Sequence, residues 1–377
     1  MIYLDNAATT HISRYVLDTM MPFLSYSFGN PGAIYQLGRD AAQAIEVARK
    51  KVAAFINADP KQIIFTSGGS ESNALVFKGL ERHMSDSDKK DIVVSVIEHD
   101  SVIKSAMQTS DILRSKFVIA CPKAISNLDM KSVGIVSVMY SNNETGEVNK
   151  NLDKIIERAH SNNTLVHTDC VHAAGYENID VKKLGCDFLS LSSHKIHGPK
   201  GVGALYVKDP KLLSPVIPGG VNQEFGLRGG TENVAGIVGF GEACEETMTN
   251  IASVREQIDL CKARFRNVLC ESLSKTAIKR MTINSNSGKI INLRFYGIDA
   301  QTLLLYLDSK EIYASAGSAC HGHNSEPSRV LMAYGLSEEQ ARESIRFSFS
   351  RYSTVNECVI AASIIADYVN AIYCQQI

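Results

Sequence analysis

Several features that mark whole classes of proteins are missing from this chain of 377 residues. No stretch approaches about 18 consecutive apolar residues, the length that a membrane-spanning helix needs. The 39 Lys and Arg residues nearly balance the 40 Asp and Glu residues, and no long run of one charge occurs. We therefore expect no membrane association and no direct binding of nucleic acid.

The cysteine pattern also excludes common small-protein architectures. Nine cysteines are scattered along the chain, and no two of them form a C-x-x-C pair. This pattern predicts neither a disulfide framework nor a zinc ribbon, and we expect no metal site. The first residues lack the basic segment followed by an apolar one that a secretory signal has. The sequence therefore predicts a cytoplasmic protein whose thiols are mostly reduced and buried.

Short apolar runs rich in β-branched residues alternate with helical or loop stretches through the first part of the chain. Runs of this kind are typical of strands that are covered on both faces. We therefore predict an α/β domain with a mostly parallel, seven-stranded sheet. The strand-like runs are 62–66, 92–97, 117–120, 133–141, 165–169, 188–192 and 203–207.

The pattern changes after Thr231 to a long helical stretch, which is followed by two strand-like runs and further helices. This order favours a second, smaller α+β domain. We place the boundary within the long helix. The large domain is predicted at residues 14–255, and the small domain at residues 1–13 and 256–377.

Lys195 follows the strand-like run 188–192 and is a candidate for covalent chemistry. Ligands bind at the carboxyl ends of strands in open α/β sheets, and partial burial would favour the neutral amine that forms Schiff bases. A surface lysine in a polar loop is the alternative and the commoner role of a lone lysine. His194 and His197 are weaker candidates as metal ligands, since no carboxylate or cysteine accompanies them at ligand spacing.

Asp169 ends the strand-like run 165–169, at the same predicted sheet edge as Lys195. If the cofactor is pyridoxal phosphate, a carboxylate beside the pyridine nitrogen keeps that nitrogen protonated. Capping of a helix is an equally suitable role for this aspartate.

The segment 67–73, Ser-Gly-Gly-Ser-Glu-Ser-Asn, joins a predicted strand to a predicted helix. Free N–H groups and the positive end of the helix dipole would face an anion there, which indicates a phosphate site. Turns of glycine and serine also precede many helices without binding any ligand.

Two residues of the C-terminal part are further candidates. Cys320 lies in a stretch of small and polar residues, 314–324, which predicts an exposed loop where a thiol can meet substrate. An incidental free cysteine is the alternative. Arg346 lies within an apolar run and needs a partner, for which a substrate carboxylate and a structural ion pair are both suitable.

Taken together, these segments resemble the cysteine desulfurases of the NifS/IscS type, which are fold-type I pyridoxal-phosphate enzymes. The resemblance runs nearly end to end and depends on the order and spacing of the motifs. The motifs are YLDNAATT at 3–10, FGNP at 28–31, FTSGGSESN at 65–73, NNETG at 142–146, HTD at 167–169, SHK at 193–195, RGGTEN at 228–233, GSAC at 317–320 and SIRFS at 344–348.

The resemblance implies a homodimer with shared active sites that binds pyridoxal 5′-phosphate. By this resemblance Lys195 forms the Schiff base, Asp169 pairs with the pyridine nitrogen and His99 stacks on the ring. Asn143 and Arg346 would bind the substrate carboxylate. The other residues implied to contact the cofactor, with Thr231 reaching the phosphate of the other subunit, are Gly69, Ser70, Asn143, His172, Ser192, His194 and Thr231.

The implied reaction takes sulfur from L-cysteine, gives L-alanine and leaves a persulfide on Cys320. The sulfur would pass to acceptor proteins for iron–sulfur cluster assembly or for thiolation of tRNA or other molecules. Two alternatives stay open. One is a selenocysteine lyase or C–S lyase that needs no protein persulfide, and the other is an inactive, cofactor-holding subunit that serves as an interaction platform.

The chain departs from the family pattern at His172, where the family usually has a glutamine that donates to the phenolic oxygen of the cofactor. An imidazole donates the same bond only in the right tautomer or protonation state. The sequence also stops at Ile377 without the tail that scaffold-binding members carry. This weakens the expectation that an iron–sulfur scaffold docks in the usual manner.

Overall fold

The computed structural model describes residues 1–317 and 326–375. The strands in these residues are β1 Ile2–Tyr3, β2 Ile63–Thr66, β3 Asp91–Ser95, β4 Phe117–Ala120, β5 Val133–Ser137, β6 Leu165–Asp169, β7 Phe188–Ser192, β8 Gly203–Val207, β9 Met281–Ser287, β10 Ile290–Phe295, β11 Ile312–Tyr313 and β12 Ser344–Ser348. The helices are α1 Arg14–Leu24, α2 Gln36–Phe55, α3 Gly69–Ser85, α4 Asp100–Leu113, α5 Pro122–Ile125, α6 Leu152–His160, α7 Val181–Leu184, α8 Val234–Ser272, α9 Lys275–Lys279, α10 Ala300–Ser309, α11 Arg329–Ala333, α12 Glu338–Arg342 and α13 Val355–Gln375.

The chain divides into two compact units. The large unit consists of His11–Ser141 and Asn149–Thr249, and the small unit consists of Met1–Thr10, Asn142–Val148 and Asn250–Ile377. The division falls within the long helix α8. Residues 142–148 belong to the small unit, whereas the predicted bounds include them in the large domain.

A seven-stranded sheet forms the centre of the large unit, in the order β2-β8-β7-β6-β5-β3-β4. Strand β8 pairs antiparallel with β2 and β7, and the other neighbouring strands pair parallel. The predicted mostly parallel sheet is therefore confirmed. The carboxyl ends of β2, β6 and β7 consequently lie at one edge of the sheet, where ligands bind in folds of this class.

Both faces of this sheet are covered by apolar side chains. Successive residues of one strand alternate between two separate buried clusters: Val93 belongs to one, and Ile92 and Val94 to the other. Because side chains alternate across a strand, the two clusters lie on opposite faces of the sheet. This double burial explains why the strands appear in the sequence as continuous apolar runs.

The small unit contains the antiparallel sheet β12-β10-β9 and the parallel pair β1-β11. Helix α13 is the described helix that is long and apolar enough to cross a membrane by length and composition alone. Its buried residues recur at helical spacing along one face, and polar residues lie between them, which is typical of a helix packed on a core. The buried residues are Cys358, Ala361, Ala362, Ile365, Ala366, Val369 and Tyr373.

A buried ion pair anchors the loop before α8 in the large unit. The Nη1 and Nη2 groups of Arg49 each donate to one carboxylate oxygen of Glu224 at 2.8 Å, and both side chains are at most 4% exposed. Glu224 and the following Phe225 both adopt positive φ values, 42° and 57°, which are rare for residues with side chains. Glu224 also accepts from the N–H of Phe65 at 2.6 Å, so this loop is tied to β2.

We expect Glu224→Gln to lower the free energy of unfolding by up to about 3 kcal/mol, the lower end for a broken buried pair, because the buried charge of Arg49 would keep only Glu46, 2.9 Å away and 55% exposed, as a partner. The measurement is urea denaturation followed by circular dichroism. Glu245→Gln is the control, since its carboxylate, which pairs with Lys51 at 2.7 Å, is 46% exposed and such pairs contribute about 1 kcal/mol or less. Equal losses in the two variants would contradict a special role for the buried pair.

Candidate active site

The carboxyl ends of β6 and β7 bring two candidate residues to one edge of the large unit. Asp169 is the last residue of β6 and pairs in register with Ser190 of β7. Lys195 ends the short 3-10 helix Ser193–Lys195, which directly follows β7, and it is partly buried. The sequence prediction that both residues lie at this sheet edge is therefore confirmed by the strand directions.

The carboxylate of Asp169 is only 4% exposed, and the protein binds both of its oxygens. Oδ2 accepts a hydrogen bond from Asn73 Nδ2 at 2.9 Å, and Oδ1 accepts one from the backbone N–H of Val171 at 2.9 Å. A carboxylate offers about four acceptor positions, so positions for a further donor are left. The helix-cap alternative is not the arrangement observed, since Asp169 precedes a turn and no helix begins there.

A phosphate-sized anion has a suitable cradle at the start of α3. Gly68 has φ 153° and leads the chain into the helix. A Cβ on Gly69 would lie 2.8 Å from Val171 Cγ2, and one on Gly68 would lie 3.9 Å from Ser192 Oγ. Position 69 therefore lacks room for a Cβ, whereas position 68 favours glycine because of its positive φ. The first N–H groups of a helix have no partner within it. Ser70 is exposed beside them.

The first turn of α3 also carries a carboxylate, and a cation neutralises it. Glu71 accepts from the N–H of Ser67 at 2.7 Å and from Arg228 Nε at 2.9 Å. Burial raises the pKa of Glu71, but the hydrogen bonds from Arg228 and Ser67 outweigh this effect and bring it below its usual value. The acidic side chain therefore leaves the positive end of the helix available to an anion.

His99 caps α4 and is held in one orientation. Its Nδ1 accepts from the N–H of Ser101 at 3.1 Å and lies 2.7 Å from Ser101 Oγ. Because Nδ1 is the acceptor in this network, we assign the ring proton to Nε2. Ser101 Oγ in turn accepts from Asn73 Nδ2 at 2.9 Å. One amide therefore connects the candidate residues His99 and Asp169.

Two further histidines lie near the strand ends. His194 precedes Lys195, and burial, followed by the charges of Lys195 and Lys200, lowers the pKa of its imidazole to about 4. His194 is therefore uncharged at neutral pH. His172 is buried in the turn after β6. Thr231 is exposed directly before α8, in the same large unit.

The two residues expected to bind a substrate carboxylate lie in the small unit and contact each other. Arg346 Nη1 donates to the carbonyl oxygen of Asn143 at 2.8 Å, and Nη2 donates to Asp5 Oδ1 at 2.8 Å. The structural ion pair named as an alternative for Arg346 is thus present. Asn142 shapes the turn, since its side-chain oxygen accepts from the N–H groups of Glu144 and Thr145.

Cys320, the predicted nucleophile, lies outside the described residues. Among residues 1–317 and 326–375, no group of three or more His, Cys, Asp and Glu side chains could hold a metal ion. The chemistry that the described site offers consists of an amine, a buried carboxylate, an oriented histidine and an anion cradle. Such a set suits a phosphorylated cofactor with a ring nitrogen and a carbonyl group.

Asn73 and Ser101 were not predicted as site residues. Asn73 stands at the end of the predicted phosphate segment, one helical turn after Gly69, so it lies on the same face of α3. This spacing was the signal available in the sequence. Ser101 gave no such signal, because its importance depends on a contact with Asn73 from a different helix.

His167 lies on β6, two residues before Asp169, and is fully buried between the flanking strands β5 and β7. Its Nδ1 is 2.7 Å from Ser137 Oγ of β5, and its Nε2 is 3.0 Å from Ser190 Oγ of β7. Burial lowers the pKa of this imidazole to about 4, although the nearby Asp169 acts in the opposite direction. His167 is therefore neutral in the folded protein near pH 7.

Comparison with known proteins places this geometry in a family. The aminotransferase class-V family model matches residues 2–359. A protein named cysteine desulfurase IscS from Methanosarcina thermophila is 38% identical over 365 residues, which cover 94% of this chain and 88% of the relative.

Solved structures give the same result. A structure described as a NifS-like protein has a TM-score of 0.88 and 29% identity, and it covers 98% of this chain and 99% of its own. A second, described as SspA in complex with cysteine, has a TM-score of 0.78 and 31% identity, with 94% of this chain and 100% of its own covered. The predicted fold class and the resemblance stated from the motifs are confirmed.

His167 should make the stability of the protein depend on pH. Between pH 6.5 and about 4 the unfolded chain takes up a proton at this residue and the folded protein does not. The free energy of unfolding therefore falls as the pH decreases through this range, by up to about 1.4 kcal/mol per pH unit for this histidine. His167→Gln should show a shallower fall in urea denaturation at pH 7 and pH 5, whereas the exposed His83→Gln should keep the slope of the unchanged protein. An unchanged slope in the first variant would show that His167 does not titrate as described.

Proposed function

This chain belongs to the aminotransferase class-V family, and we propose that it is a cysteine desulfurase, which removes sulfur from L-cysteine and releases L-alanine. The observation that carries the proposal is the common sheet edge of Lys195, Asp169 and the turn at Gly68. The names of the relatives support cysteine desulfurase activity, and the solved neighbour described in complex with cysteine supports this substrate.

We propose pyridoxal 5′-phosphate as the cofactor, because the donors at the sheet edge fit its separate parts. The backbone N–H groups of Gly69 and Ser70 suit the phosphate, and we assign Ser192, His194 and the Ser70 hydroxyl to the same role. Asp169 suits the pyridine nitrogen and His99 the face of the ring. When bound, this cofactor supplies a protonated ring that stabilises negative charge on the α-carbon of the substrate.

Lys195 is assigned two tasks. Its Nζ would hold the cofactor at the carbonyl carbon, and once the amine of the substrate has displaced it, the free Nζ would remove the proton from the α-carbon of the substrate. The neighbouring His194 is neutral at pH 7 and adds no positive charge beside this amine. His172 takes the position of the usual glutamine, and we propose that its ring donates to the phenolic oxygen of the cofactor. Its burial after β6 is compatible with that role.

Arg346 and Asn143 are proposed to bind the carboxylate of cysteine. Arg346 is 1% exposed, and its Nε has no hydrogen-bond partner among the described residues. A carboxylate is a suitable acceptor for such a buried donor. The bond from Arg346 to the carbonyl oxygen of Asn143 orients the turn from which the Asn143 side chain extends.

Cys320 is proposed as the residue that accepts the sulfur. Its thiolate forms a bond to the sulfur of the substrate while the bond between that sulfur and the β-carbon breaks. The β-carbon then takes up a proton, so cysteine and one thiol give alanine and one persulfide. No external oxidant or reductant is needed. The persulfide sulfur is then passed to an acceptor protein, for iron–sulfur cluster assembly or for thiolation of tRNA or other molecules.

A homodimer with shared active sites is the proposed assembly, with Thr231 contacting the phosphate bound to the other subunit. Thr231 is exposed, and the large unit exposes several large apolar side chains within 21–37, which a second subunit would cover. We propose that the dimer acts in the cytoplasm and contacts neither membranes nor nucleic acid directly. The exposed apolar side chains are Met21, Leu24, Tyr26, Phe28, Ile34, Tyr35 and Leu37.

Cys320→Ser should keep the bound cofactor and lose the persulfide, because a hydroxyl is a much weaker acceptor of sulfur than a thiolate. The measurement is mass spectrometry of the protein after treatment with cysteine, together with its visible absorbance. Cys121→Ser, at an exposed cysteine of the large unit, should form the persulfide normally. Persulfide elsewhere, or normal sulfide release by the Cys320 variant, would refute the assigned nucleophile and favour a lyase.

Lys195→Ala should lose the visible absorbance of the covalently held cofactor, and alanine formation should fall by more than about a hundredfold, since the variant lacks the base. Absorbance spectra and alanine release from cysteine measure the two effects. The exposed Lys211→Ala should leave the spectrum unchanged. Absence of any bound cofactor in the unchanged protein would instead favour an inactive interaction subunit.

A further inference from the structure

We infer that Asn73 is a positioning residue that holds the Asp169 carboxylate and the His99 ring through the two hydrogens of one side-chain amide. The inference rests on the proposed function, because it takes Asp169 and His99 as the contacts of pyridoxal phosphate. Asn73 itself lies on α3, the helix whose first turn forms the phosphate cradle. Helix α3 thus both begins at the phosphate site and, through Asn73, orients Asp169, the residue assigned to the ring nitrogen.

The contacts of Asn73 are direct and buried. Its Nδ2 lies 2.9 Å from Asp169 Oδ2 and 2.9 Å from Ser101 Oγ, and Asn73 is 1% exposed. An amide nitrogen carries two hydrogens, so both contacts are satisfied at once. Asp169 itself is a charged acceptor, and hydrogen bonds to charged groups are stronger than those between neutral groups.

The side-chain oxygen of Asn73 does not determine which way the amide group is oriented. Asn73 Oδ1 is buried and has no hydrogen-bond partner among the described residues. A buried carbonyl without a partner costs free energy, and exchange of Nδ2 and Oδ1 would place an acceptor against the Asp169 carboxylate. The two hydrogen bonds that Nδ2 donates therefore determine the orientation of the amide group.

The second bond acts on His99 through Ser101. Because Ser101 Oγ accepts from Asn73, its own hydrogen is free to point at His99 Nδ1, 2.7 Å away. Nδ1 then stays an acceptor and the ring proton stays on Nε2. The backbone N–H of Ser101 already donates to Nδ1 at 3.1 Å, so Asn73 reinforces this tautomer and holds the Ser101 side chain beside the ring, without touching the ring itself.

The test separates hydrogen bonding from filling of space. Asn73→Leu keeps a similar volume and removes both donors, so we expect the dissociation constant of the full-length protein for pyridoxal phosphate to rise about tenfold. Ser101→Ala keeps the bond from Asn73 to Asp169, and we expect a rise of less than about threefold. Equilibrium dialysis of the cofactor-free proteins measures both values.

A cofactor analogue with carbon in place of the ring nitrogen identifies the route of the effect. If Asn73 acts through Asp169, the loss caused by Asn73→Leu should largely vanish with this analogue, since Asp169 then has no ring nitrogen to hold. Equal losses with both molecules would mean that the substitution merely distorts the site, and this result would overturn the inference.

Thermal unfolding of the cofactor-free variants serves as a control for folding. If Asn73→Leu does not fold, Asn73→Ala, which also removes both donors, replaces it in the same comparison. Wild-type affinity for pyridoxal phosphate in the folded variant would also overturn the inference. Failure of the unchanged protein to bind pyridoxal phosphate would instead refute the proposed function, so the two failures are distinguishable.

Discussion

Burial of the Asp169 carboxylate is the constraint on which the site in the large unit depends. A carboxylate that loses its contact with water costs several kcal/mol unless hydrogen bonds replace that water. Here the bonds come from the side chain of Asn73 on α3 and from the N–H of Val171 in the turn after β6. The end of a strand, the first turns of a helix and a turn are therefore held in one arrangement by a single charge.

The same approach of α3 to β6 produces the anion cradle. A Cβ on Gly69 would contact Val171, the residue whose N–H binds Asp169. The glycine that lets the helix start come close thus also lets Asn73, one turn later, reach the carboxylate. The phosphate site and the Asp169 carboxylate consequently both depend on the position of α3. A shift of α3 that closed one of them would also disturb the other.

Local patterns in the sequence were sufficient for the strands of the large sheet and for the sheet edge that carries Lys195 and Asp169. Each of these features depends on burial of a short segment or on its last residue. Contacts between distant segments were not predictable in this way. The bond from Asn73 to Asp169 joins residues 96 positions apart, and the bond from Arg346 to Asp5 joins residues 341 positions apart. The pattern at Arg346 indicated only that a partner was needed.

The pairing of Arg346 with Asp5 bears on how a substrate carboxylate would be bound in the small unit. The guanidinium is almost fully buried, and Asp5 already compensates its positive charge. A second carboxylate would therefore meet a nearly neutral pair, and its binding would depend on the directed N–H groups that remain, including Nε. Such recognition would depend more on the planar geometry of the guanidinium than on net charge. An arginine held in this way selects for the shape of a carboxylate, and replacement by lysine would remove that selection even though the charge is kept.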